Sequence, residues 1–193
     1  GGALAQFFAI WIPLEDTAQK LGVTMPPYEY FNFVYQKYLE EMEKNKDIIS
    51  PAFCLDDIKK NRENGLMSSV LSIEDSVPLE GKAERLDEFY KKGVRLMSLT
   101  WNYENSVAYP NSDDPEIMKK GLKPFGIETV ERMNEMGMIV DISHLSDGGI
   151  YDVFKYTKKP IVASHSNARG CCNHRRNLTD DMLRLLGENG GLT

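Results

Sequence analysis

The 193 residues are 41% hydrophobic and 27% charged, enough apolar content for one sizeable core, which excludes a disordered chain. The formal net charge of −6 excludes a nucleic-acid footprint, because phosphate binding needs clustered Lys and Arg. No apolar run approaches the roughly twenty residues that span a bilayer. The cysteines, Cys54 and the adjacent Cys171 and Cys172, are too few for a disulfide framework, so a reducing, cytoplasmic setting is expected, with any upstream signal lying before Gly1.

Gly1 already stands in strand-like sequence, and residues 3–12 form the first strand candidate. Residues 28–44 place Phe31, Val34, Tyr35, Tyr38, Leu39 and Met42 at three- and four-residue intervals, an apolar stripe on a long helix that reads as core packing. A shorter helix over 55–61 ends at Asn64-Gly65, before a strand over 66–73. Residues 83–92 are helical and pass through Gly93, a helix stop, into a strand over 94–100. Lys44, Lys46, Lys59, Lys60, Lys91 and Lys92 are interspersed with acids and read as solvated faces.

From 100 to 122, Asn, Ser, Asp, Pro and Tyr predict a long loop after a strand, where α/β proteins put substrate contacts. Residues 125–136 return to helix, with Ile127, Val130, Met133 and Met136 on the buried side. Strands over 138–142 and 160–163 follow, then a polar loop from Cys172, a helix over 182–186 capped by Thr179 or Asp180, and a strand start at 190–192.

This alternation predicts parallel strands covered by helices, in a single domain over 1–193. About six strands are too few for a closed eight-stranded barrel of roughly 250 residues. Strand-like sequence at both ends would leave unpaired edges, so the expectation is a portion of a larger (β/α)8 barrel, or else an open doubly wound sheet.

Two segments carry the chemistry. Val140-Asp141-Ile142-Ser143-His144 and Ile161-Val162-Ala163-Ser164-His165 each drive an apolar run into a Ser-His pair, twenty-one residues apart. That interval fits strand, helix and next parallel strand, which would place both imidazoles side by side at one sheet edge. A histidine ending a strand either caps it or binds metal. The repeat at equivalent positions favours metal, since neutral imidazole is a good zinc ligand. In Ser72-Ile73-Glu74-Asp75 another strand ends in two acids; alternation turns only one toward the mouth, where a carboxylate can bridge two cations. Arg175-Arg176 follows the second histidine strand, placed to fork onto a substrate carboxylate.

Taken together, residues 137–147, 160–168 and 175–181, with Ala5-Gln6-Phe7-Phe8 and Leu122-Lys123-Pro124-Phe125-Gly126, resemble the membrane (renal-type) dipeptidase family, peptidase family M19, over nearly the whole chain. The resemblance implies a (β/α)8 TIM-type barrel of the metal-dependent hydrolase kind, with two zinc ions and a bridging hydroxide that cleaves dipeptides. It implies that Glu74 is the catalytic bridging carboxylate and metal ligand. It assigns His144 and His165 to the second metal, Arg176 to the dipeptide carboxylate, and Asn177 to the same pocket. It also admits dipeptides with a D-residue at the carboxyl end and a homodimer.

Two departures stand out. The family's His-x-Asp pair on its first strand and its aspartate on the last strand are both outside these residues, so a partial chain with one metal's ligand set retained is expected. Trp101 stands where mammalian members carry a substrate-contacting histidine, which implies an altered substrate contact. The competing readings are a catalytically incomplete metal- or ligand-binding barrel fragment and another amidohydrolase.

Overall fold

Five parallel strands, β1 (Ala5–Trp11), β2 (Ile49–Pro51), β3 (Met67–Glu74), β4 (Val94–Ser98) and β5 (Ile139–Asp141), form one sheet in a computed structural model that describes residues 3–193. The expectation that Gly1 lies in a strand falls outside the described residues. β3 is the hub. Its first residues pair with β1 on one edge and β2 on the other, and from Leu71 onward β4 replaces β2. A register shift between Leu71 and Ser72 accommodates the exchange.

Beyond β5 the parallel order continues through two bridges, Asp141 to Val162 and Val162 to Leu192. The strands expected at 160–163 and 190–192 are therefore shorter than their apolar runs suggest. Pro160 has no N–H for a ladder, and the amides of Ser143 and Ser164 leave the ladder to donate to the Asp141 carboxylate. Apart from β2, each strand lies beside its predecessor in the chain. Among the described strands that order has no switch point, the crevice at which a doubly wound sheet binds its ligand.

Helices α1 (Glu15–Leu21), α2 (Pro27–Lys44), α3 (Leu55–Glu63), α4 (Glu84–Lys91), α5 (Pro115–Met118), α6 (Pro124–Met136), α7 (Asp147–Tyr156) and α8 (Asp180–Glu188) connect the strands. Residues two apart on a strand share a face. Ile10, Ile73, Met97, Val140 and Ile161 are buried in a hydrophobic core cluster with Phe31 of α2, Phe89 of α4 and Val130 and Met133 of α6. Phe31 and Phe89 pack with ring centroids 4.3 Å apart. The alternate positions, among them Phe7, Ala9, Leu96, Ile139 and Val162, line a cavity of about 490 Å³ on the other face.

The α2 stripe matches its expected residues except Leu39, which is exposed. Lys92 is likewise no free surface charge: its ammonium pairs with Glu88 and lies 5.0 Å from the Tyr35 ring centre. Gly126 explains part of the Pro124-Phe125-Gly126 sequence. A Cβ there would stand 2.1 Å from the Val107 carbonyl oxygen, so only glycine lets α6 approach that loop. Gly93 adopts a φ of 99° as the chain leaves α4 for β4.

Candidate metal centre

Three strand ends deliver three donors. Glu74 is the last residue of β3, His144 follows β5, and His165 follows the bridge segment at Val162. One donor atom from each lies within 4.8 Å of the others. The two Nε2 atoms are 2.8 Å apart, and Glu74 Oε1 is 3.3 Å from that of His144 and 3.5 Å from that of His165. Asp75 points the other way and is fully buried, as alternation requires.

His144 is held in the left-handed region at a φ of 72°, uncommon for a residue with a Cβ. Its carbonyl accepts from both the backbone N–H and the side chain of Asn111, and its Nδ1 lies 3.0 Å from Asn102 Oδ1. His165 places Nδ1 2.7 Å from Ser164 Oγ. Asn102 Oδ1 only accepts, so His144 carries its hydrogen on Nδ1 and turns an Nε2 lone pair toward the Glu74 carboxylate and His165 Nε2. A divalent cation resolves that repulsion, and two imidazoles with one carboxylate suit zinc.

The electrostatics agree. The His144 contact holds the Glu74 carboxyl below its usual range against the opposing effect of burial. Burial first, then the Arg176 and His165 charges, push the His144 imidazole toward its neutral, ligating form, against the pull of Glu74. Burial lowers Arg176 too, while Glu74 and Asp141 favour its charge. Its Nε is buried and has no hydrogen-bond partner among the described residues.

The remaining sequence candidates sit around this centre. The Trp101 ring centre lies 6.0 Å from that of His144 and 5.1 Å from that of Trp11. Asn177 accepts from the Asn167 amide and donates to the Cys172 carbonyl, so its carboxamide braces the loop that carries Arg176. Arg175 turns outward to Asn111 and Asp113. Asn102, Asn111 and Asp141 were missed. The first two are ordinary loop residues in sequence, whereas an acid between the apolar Val140 and Ile142 was a readable signal of a buried polar role. The three cysteines are exposed free thiols, and no helix among the described residues is long and apolar enough to cross a membrane.

A parallel α/β sheet with carboxylate and imidazole donors gathered at its strand ends defines the metal-dependent hydrolase class. Within that class, the membrane dipeptidase family, peptidase family M19, matches residues 1–193, and the chain belongs to it. It is 35% identical over 194 residues to dipeptidase aclJ of Aspergillus oryzae, covering 97% of this chain and 45% of that protein. It is 31% identical over 201 residues to the uncharacterized dipeptidase C965.12 of Schizosaccharomyces pombe, covering 97% of this chain and 46% of that protein. The chain thus spans about half the length of the curated relatives it matches.

Among solved structures, the probable dipeptidase PvdM of Pseudomonas aeruginosa superposes with a TM-score of 0.80 at 27% identity, over 86% of this chain and 43% of that one. A metallo peptidase of Rhodobacter sphaeroides, liganded with a phosphinate mimic of the dipeptide L-Ala-D-Ala, shares the fold with a TM-score of 0.84 at 20% identity, over 96% of this chain and 59% of that one.

Proposed function

We propose that the protein hydrolyses the peptide bond of dipeptides with zinc held by Glu74, His144 and His165. The observation that carries this reading is the convergence of those three donors at the sheet's carboxyl edge. Bound zinc supplies an acidified water and a polarised carbonyl. The protein's own groups do the rest. Glu74 keeps a carboxylate at the centre, and the two imidazoles present Nε2 because Asn102 and Ser164 occupy their other nitrogens. Arg176 receives the dipeptide's terminal carboxylate, Asn177 shapes its loop, and Trp101 forms a wall of the substrate space.

Family membership and the chain-ordered strands support a further reading: this single domain is part of a closed (β/α)8 barrel whose remaining strands supply ligands for a second zinc. The phosphinate-bound metallo peptidase, matched in fold, supports dipeptides with a D-residue at the carboxyl end as substrates. Zinc content and hydrolysis of a dipeptide such as L-Ala-D-Ala test the proposal together. Cleavage that chelator abolishes and zinc restores is expected; cleavage indifferent to chelator, or a protein that retains no zinc, contradicts it.

A further inference from the structure

Asp141 is almost completely buried between the two Ser-His pairs and touches both. Its Oδ1 accepts from the amides of Ser143, at 2.9 Å, and Ser164, at 3.1 Å, the residues preceding the two histidines. Its Oδ2 lies 2.5 Å from Ser164 Oγ, which in turn lies 2.7 Å from His165 Nδ1. A second crosslink runs from the His165 amide to Ser143 Oγ. One carboxylate therefore clamps the ends of two strands and reaches the ring of one histidine through one hydroxyl.

The direction of these hydrogen bonds follows from counting hydrogens. A carboxylate has none to give, so the single hydroxyl hydrogen of Ser164 points at Asp141 Oδ2. The Ser164 oxygen can then only accept from the ring, which puts the His165 hydrogen on Nδ1; the competing form, His165 Nε2–H donating across 2.8 Å to His144 Nε2, would leave the Ser164 oxygen and Nδ1 facing each other with no hydrogen between them. The Nδ1–H form leaves the Nε2 lone pair aimed at Glu74 and His144. We propose that Asp141 and Ser164 are positioning residues that fix His165 as the Nδ1–H tautomer, the form whose Nε2 can ligate. The inference builds on the metal reading above, and its primary readout does not depend on it. His144 reaches the same state by a separate device, Asn102 Oδ1, and so serves as an internal control.

Substitution at Asp141 should reverse the chain. In Asp141→Asn the two amide donors keep the carbonyl oxygen in place of Oδ1, so the amide nitrogen faces Ser164 and donates to it. The hydroxyl hydrogen then turns to His165 Nδ1 and forces the hydrogen onto Nε2, where it blocks ligation. Ser164→Ala removes the constraint, and Ser164→Thr restores a hydroxyl.

The experiment is two-bond 1H–15N correlation spectroscopy of metal-free, 15N-histidine-labelled protein at pH 8, with His165 assigned from His165→Gln. The Nδ1–H pattern is expected for His165 in wild type and Ser164→Thr, a mixture in Ser164→Ala, and the Nε2–H pattern in Asp141→Asn, with His144 unchanged throughout. Zinc affinity by chelator competition should fall about 10- to 100-fold in Ser164→Ala and recover in Ser164→Thr. An Nε2–H His165 in wild type, or a tautomer and zinc affinity both indifferent to Ser164→Ala, overturns the inference. A retained tautomer pattern in a wild type that binds no zinc upholds the relay and sinks the metal reading instead.

Discussion

The His144 carbonyl accepts two hydrogen bonds from Asn111, one from the backbone N–H at 2.7 Å and one from the side-chain amide at 3.0 Å. The same side chain takes the Arg175 Nε–H at 3.0 Å on its oxygen. One asparagine therefore links the strained backbone of a candidate ligand to the loop that carries Arg176. Asn111→Ala should destabilise the fold by about 0.5–1.5 kcal/mol, the cost of losing the side-chain bond to the His144 carbonyl, which keeps its backbone donor, and the acceptor for Arg175, which keeps Asp113. It should also weaken zinc binding by roughly tenfold as His144 drifts from its left-handed conformation. Urea unfolding and chelator competition read the two effects, and an unchanged zinc affinity would show that Asn111 does not hold the ligand.

Asp75 makes the fold sensitive to pH. Its Oδ1 accepts from the Val77 amide and the Asn105 side chain, while its Oδ2 has no partner among the described residues. Burial, opposed by those hydrogen bonds, pushes its pKa up to about 6 from 3.8. The folded state thus holds the proton more tightly than the unfolded chain. Stability present below the unfolded value is lost as pH rises through the folded one, by roughly 2–3 kcal/mol. In metal-free protein, wild type should lose that much relative to Asp75→Asn between pH 4 and pH 7. Parallel profiles for the two proteins would show that Asp75 does not titrate as described.

Arg176 is half withdrawn from water, and its buried Nε lacks a partner among the described residues, a state that an incoming carboxylate would relieve. Arg176→Met should raise KM for dipeptides by about 10- to 100-fold with a smaller change in kcat, as expected for loss of a charged hydrogen bond made in the ground state. Arg176→Lys should recover little, because an ammonium cannot fork onto two oxygens. An unchanged KM in the methionine variant would remove Arg176 from the substrate site.

Two glycines should respond to alanine in opposite directions. At Gly126 the new methyl would meet the Val107 backbone, whereas at Gly187, in α8, nothing lies within 4 Å. Gly126→Ala should cost about 1–3 kcal/mol, and Gly187→Ala should add about 0.5–1 kcal/mol by restricting the unfolded chain. Thermal unfolding measures both. A stable Gly126→Ala would show that α6 can move away from the Val107 loop without cost.

Much of this architecture was readable in the residues, because burial imposes a period. Residues 28–44, 83–92 and 125–136 each carry an apolar stripe, and helices α2, α4 and α6 lie within a residue or two of those bounds. The two Ser-His pairs and Glu74 were found because each ends an apolar run. What was not readable lacks such a pattern. α1 has no fully buried residue to set a stripe, and β2 is three residues long, one of them proline. Asn102, Asn105 and Asn111 look like loop composition in sequence, yet each makes a specific hydrogen bond at the centre or to the neighbouring Asp75. Asp141 is hidden because its apolar neighbours define a strand, although its charge inside that strand is the informative feature.

Anomalous diffraction at the zinc absorption edge, from crystals of zinc-loaded protein, puts the metal centre to its most direct test. A peak should appear within about 2.0–2.2 Å of a Glu74 carboxylate oxygen and of Nε2 of both His144 and His165, and it should weaken or vanish in Glu74→Gln. Zinc bound elsewhere, or these three side chains splayed apart around an empty mouth, would contradict the assignment.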